Sequence, residues 1–123
     1  MKIAITATQP SLTAPFEPRF GRCAFFIVID SQTKDWQAVS NPGADSRGGA
    51  GTQAAQKIAN LGVEAVVSGK FGPNAYAVLQ AAGIRAYEAQ GGTAETLLES
   101  FLAEKLNEVK APTSPGLHSG RGR

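Results

Sequence analysis

The stretch "GVEAVVSGKFGPNAYAVLQAAGIRAY", residues 62–87, decides the architecture. It opens with "EAVVSG" (64–69), a short apolar run with paired valines that ends on a glycine, which is the pattern of a buried strand. "PNAYAVLQAA" (73–82) follows, with Pro73 suited to a first helical position and Gly83 as a stop. "IRAYEA" (84–89) is a second strand. A strand, a helix and a strand in this order form a right-handed crossover between parallel strands.

Working outward from this unit extends the same pattern. "TQAAQKIANL" (52–61) reads as the preceding helix, with Gly62 as its stop. After "GG" at 91–92, Thr93 is a good N-cap and Glu95 falls in the first turn. "TLLESFLAEKL" (96–106) then continues as an amphipathic helix. Toward the N-terminus, "KIAITA" (2–7) is a buried strand, and "AFFIVID" (24–30) and "DWQAVS" (35–40) pair as a hairpin through a turn near "DSQTKD". The hairpin makes the second strand antiparallel to the first and returns the third to parallel. The expected fold is therefore three-layer α/β/α, with a ribonuclease H-like mixed sheet of five strands in which strand 2 is antiparallel.

With 123 residues the chain suits one domain, expected over 1–110. "APTSPGLHSGRGR" (111–123) lacks a core-forming pattern and is expected to be a disordered tail. A lone cysteine makes no intramolecular disulfide, the N-terminal apolar run is too short for a signal peptide, and no apolar run has bilayer-spanning length. These features point to a cytoplasmic protein without a membrane partner. The net charge of +2 is matched by Arg121 and Arg123 in the tail, and no aromatic-interleaved basic patch points to nucleic acid.

The topology sends loops 8–22, 41–51, 69–73 and 89–93 to one edge, at the carboxyl ends of the parallel strands, where ligands bind in open α/β sheets. Arg19, Arg22, Arg47 and Lys70 lie in or beside these loops, opposed only by Glu17 and Asp45. Gly21, Gly49, Gly51 and Gly72 lie there too, beside helix starts expected at 49–52, 72–74 and 92–94. Backbone N–H groups, helix N-termini and cations together suit an anion. Phe20 and Phe71 would shield it from water.

Cys23, at the start of strand 2, is either a small buried hydrophobe or a soft thiolate ligand favoured by Arg22. A catalytic role for it needs a base, and the only histidine is His118 in the tail. "GAGTQA" (49–54) fits G-x-G-x-x-A, but it does not follow the first strand tightly and no Walker lysine comes after it. Nuclease chemistry would need metal-binding carboxylates. "KIAITA" has none, and Asp30 and Glu64 lie at the wrong strand ends. No enzyme class is supported.

"MKIAI", "FGRCAFFIVID", "NPGADSRGGAGTQAAQ", the 62–87 stretch and "GGTAETL" together resemble the dinitrogenase iron-molybdenum cofactor-binding family over about residues 1–106. The resemblance implies a non-enzymatic protein that binds or carries an anionic molybdenum-containing metal-sulfur cluster, of Mo–Cu sulfide or iron-molybdenum cofactor type. It also implies protein partners in cluster delivery, for a chain expected to be a monomer or weak dimer. Many members have His before Phe-Gly, where this chain has Arg19. Arginine donates hydrogen bonds and charge but does not ligate as imidazole does. The chain also lacks paired Cys or His spacing, so such a cluster would bring its own sulfide. The alternative reading is a regulatory or interaction module whose edge takes a partner protein or a small phosphate or nucleotide.

Overall fold

The computed structural model describes residues 1–44 and 49–113. One mixed sheet forms the middle layer. Its strands are β1 (Lys2–Ala7), β2 (Phe25–Asp30), β3 (Trp36–Ser40), β4 (Ala65–Ser68), β5 (Arg85–Glu88) and β6 (Asn107–Val109), in the order β3-β2-β1-β4-β5-β6. β1 pairs antiparallel with β2 and parallel with β4, and β4 pairs parallel with β5. The helices are α1 (Ala50–Asn60), α2 (Pro73–Ala81) and α3 (Ala94–Leu102), with a 3-10 turn η1 at Phe20–Arg22.

Alternation along the central strands divides the core in two. Ala4, Phe26, Val28 and Val66 face α1 and α2, meeting Ala54, Ile58 and Leu79. Ile3, Ile5, Ile27, Ile29 and Val67 face α3, meeting Leu97 and Leu98. Strands buried on both faces read as near-continuous apolar runs, which is why β1, β2 and β4 stood out in the sequence.

The sheet has six strands, not five. The expected last helix stops at Leu102 rather than running to 106, and the chain turns into β6, antiparallel to β5. The stop is a Schellman motif: Glu104 N donates to Phe101 O and Lys105 N to Ser100 O. α1 and α2 end in the same way at Gly62 and Gly83, both in the left-handed region. At α3 that position is Glu104, at φ 58°. A non-glycine residue there costs about 1–2 kcal/mol and carries no sequence signal. β6 is only three residues long, and its pairing covers β5, which would otherwise be the edge strand.

Residues 8–22 are less irregular than their prolines suggest. Phe16 bridges to Ala7, Pro15 to Thr93, and Arg19 to Lys70. At the other end of the chain, Thr113 is hydrogen-bonded to Phe71 in both directions. The rest of the expected tail, with His118, Arg121 and Arg123, lies outside the described residues, as does Arg47. Among the described residues, no helix is long and apolar enough to cross a membrane.

Candidate functional site

A concavity of about 420 Å³ opens at the carboxyl edge, between η1 and the N-termini of α1 and α2. Backbone pairing assembles it. Gly69 N and Lys70 N both donate to Pro18 O, at 3.0 and 2.7 Å, and Phe20 N donates back to Lys70 O at 3.2 Å. This ties the loop after β1 to the loop after β4. Asn41, buried, joins the third loop: its Nδ2 donates to Gly21 O at 3.1 Å and Cys23 O at 2.9 Å.

The glycines have a role that composition did not reveal. A Cβ on Gly21 would lie 2.7 Å from Gly51 N, and a Cβ on Gly51 would lie 2.9 Å from the Cβ of Ala75. Both distances are too short for real atoms. η1 and α1 are therefore stacked backbone on backbone, the Ala75 methyl of α2 packs directly on Gly51, and the floor of the concavity closes only because residues 21 and 51 lack side chains.

Among the described residues, the two helix starts facing the concavity lack local neutralisation. Neither Gly49 at α1 nor Gly72 at α2 makes a side-chain cap, and neither first turn holds an acid. Their first-turn N–H groups have no intrahelical acceptor, and the helix dipoles add partial positive charge there. α3 differs. Thr93 and Thr96 form a reciprocal capping box, and Glu95 lies in the first turn. Its N-terminus is neutralised locally, so only three of the four loops expected to converge form this wall.

Of the residues the sequence suggested, Arg19, Phe20, Gly21, Arg22, Gly49, Gly51, Lys70 and Gly72 line the concavity. Phe71 does not line it; it stands behind, fully buried, its ring 5.4 Å from that of Phe20. Phe20 also meets Phe26 at 6.0 Å, so this aromatic group anchors η1 to the core. Arg22 Nη1 donates to Ala44 O at 2.9 Å, holding the third loop against η1. Thr52 and Asn74 line the wall as well and were missed in the sequence, because nothing but their place in a helix's first turn marks them.

Cys23 is not brought into the wall. It is fully buried, and burial pushes its thiol up to about 12. A thiol in that state is a small core hydrophobe, unreactive as a nucleophile. Its sulfur accepts a long contact from Asn41 Nδ2 at 3.7 Å. Among the described residues, no group of three or more His, Cys, Asp or Glu could hold a metal ion.

Comparison with known proteins gives the family and supports the fold. The family model for the dinitrogenase iron-molybdenum cofactor matches residues 1–104. An uncharacterized protein of Methanocaldococcus jannaschii is 32% identical over 113 residues, covering 89% of this chain and 92% of that protein. The apo form of the orange protein from Desulfovibrio gigas superposes with a TM-score of 0.89 at 36% identity, covering 92% of this chain and 96% of that one. A Thermotoga protein named for NifB superposes at 0.82 with 30% identity, covering 94% and 98%. The chain belongs to the dinitrogenase iron-molybdenum cofactor family, a family of cofactor-binding and accessory type.

Proposed function

We propose that this protein is a non-enzymatic carrier for an anionic molybdenum-containing metal-sulfide cluster, held at the concavity as cargo. One observation carries the reading: two uncapped, acid-free helix N-termini and three cationic side chains, Arg19, Arg22 and Lys70, share one cleft. Preorganised N–H donors and positive charge suit an anion that arrives with its own ligands. Arg19 and Lys70 would neutralise it, and the first-turn N–H groups of α1 and α2 would donate to its sulfides. The flank formed by Phe20 would limit water access. Arg47 remains a candidate contact outside the described residues. Cys23, fully buried and outside the lining of the cleft, is given no part in holding the cargo.

The same chemistry could receive a phosphate group, so the test must separate the two. Apo-protein is mixed with tetrathiomolybdate and copper at stoichiometric concentration, with and without excess phosphate or ATP. A visible charge-transfer band beyond that of the free reagents, one that survives the competitors, supports the cluster reading. Thermal stabilisation by ATP or phosphate, with no such band, would replace that reading with the phosphate-binding module.

A further inference from the structure

Glu17 presents an apparent contradiction: a carboxylate beside a cleft built for an anion. Its side chain is only 14% exposed, while that of Arg19 is 66% exposed. One carboxylate oxygen, Oε2, accepts from both the backbone N of Arg19 at 3.0 Å and the Nε at 3.1 Å. This leaves the two terminal guanidinium nitrogens of Arg19 for other partners. Glu17 is itself fixed from below. Its carbonyl accepts from Thr6 Oγ1 at 2.6 Å, and its N–H donates to Thr6 O at 3.0 Å. Thr6 and Ser68 are fully buried, at the ends of the central strands β1 and β4, and bond each other at 2.9 Å.

Hydrogen bonds at the carboxyl ends of β1 and β4 thus fix the Glu17 backbone, and its carboxylate in turn brackets an otherwise exposed arginine. We infer that Glu17 is a positioning residue, which aims Arg19 into the cleft and so raises affinity for the anion despite its own negative charge. The inference rests on the cluster-carrier reading. An unheld arginine would lose its rotamer freedom when cargo binds; Glu17 removes that loss in advance. The hydrogen bond and the nearby charge of Glu17 also raise the pKa of the Arg19 guanidinium.

The sign of one substitution tests this. Glu17→Gln keeps the backbone bonds but replaces the charge-assisted carboxylate acceptor with a neutral amide oxygen, roughly half as strong a partner for Arg19 Nε, and deletes a negative charge. Simple electrostatics predicts tighter binding of an anion. Positioning predicts weaker binding, by up to about fivefold, the scale of one lost exposed ion pair. Titrations with tetrathiomolybdate and copper would compare wild type, Glu17→Gln, Arg19→Ala and the double variant. In the Arg19→Ala background, Glu17→Gln should be neutral or should tighten binding, because nothing remains to be aimed. Tighter or unchanged binding in the single variant, or an equal loss in both backgrounds, overturns the proposal. Arg19→Lys provides a second arm: it keeps the charge but loses the Nε–H, and should lose most of what Arg19→Ala loses. Full retention of binding would count against positioning. An NMR readout needs no cargo: the Arg19 Nε proton should exchange slowly in wild type and quickly in Glu17→Gln. If that difference is seen but wild type takes up no thiometallate, the carrier reading fails while the Glu17–Arg19 bracket stands; equal exchange refutes the bracket itself.

Discussion

Gly21→Ala puts the architecture of the cleft floor at risk. The added Cβ would stand 2.7 Å from Gly51 N and 2.8 Å from Gly51 Cα, where ordinary contact begins at 3.4 Å. The shortfall, 3.4 minus 2.7, is 0.7 Å. No side chain can rotate to absorb it, because the opposing atoms are backbone. Nor can α1 retreat freely, since Gly51 is already packed on Ala75. Overpacking of this kind costs about 1–3 kcal/mol, and restriction of the unfolded chain by alanine offsets about 0.4–1 kcal/mol. A net loss of about 1–2 kcal/mol is expected. At about 2.1 cal/mol/K per residue over 123 residues, that lowers Tm by roughly 4–8 °C. Thermal unfolding followed by circular dichroism reads it directly. Gly91→Ala is the control, since a Cβ there meets nothing within 4 Å, and it should change stability by less than about 0.5 kcal/mol. Thiometallate uptake should weaken in Gly21→Ala only. A Gly21→Ala protein as stable as the control would refute the claim that η1 and α1 meet backbone to backbone.

Three further outcomes follow from the same structure. The Cys23 thiol is raised by burial from 9.0 to about 12, so the folded state disfavours its ionisation. The stability this contributes is complete below pH 9 and declines as pH rises toward 12; relative to Cys23→Ala, wild type should lose about 1.4 kcal/mol per pH unit in that window, measured by urea unfolding. A flat difference would contradict the buried thiol. Thr93→Ala removes the α3 capping box and should cost about 1 kcal/mol with thiometallate uptake unchanged, because that helix start lies away from the cleft. Gly72→Asp should do the reverse. Residue 72 has extended N-cap geometry, so Asp can cap α2 and hold stability or raise it by roughly a few tenths of a kcal/mol. Its carboxylate would occupy the anion's place, and uptake in the visible assay should vanish; retained uptake would argue that the α2 N-terminus is not used.

Most of the fold is legible in the sequence because its strands are buried on both faces and its crossover helices carry conventional stops. "EAVVSG", "PNAYAVLQAA" and "IRAYEA" each appear within a residue or two of β4, α2 and β5. The miss came where local chemistry departs from convention: Glu104 takes the left-handed position that Gly62 and Gly83 take elsewhere, and β6 is too short to show alternation. The cleft was legible as a collection of cations and glycines on one edge. Its internal logic was not. Gly21 and Gly51 are read naturally as ligand-facing glycines, yet they allow three elements to touch. Asn41 and the Thr6–Ser68 pair are ordinary polar residues in the sequence; only tertiary contact makes them struts of the binding loop. Cys23 draws attention as a lone sulfur, and only burial shows it to be core.

The central claim is that charge and backbone N–H groups, without protein thiolate, hold an anionic cluster. It is tested most directly by titrating tetrathiomolybdate and copper into wild type, Cys23→Ala and an Arg19→Ala/Lys70→Ala double variant, following visible charge-transfer absorption. The account predicts stoichiometric colour in wild type and Cys23→Ala, and its loss in the double variant. Colour that disappears in Cys23→Ala but persists in the double variant would contradict it.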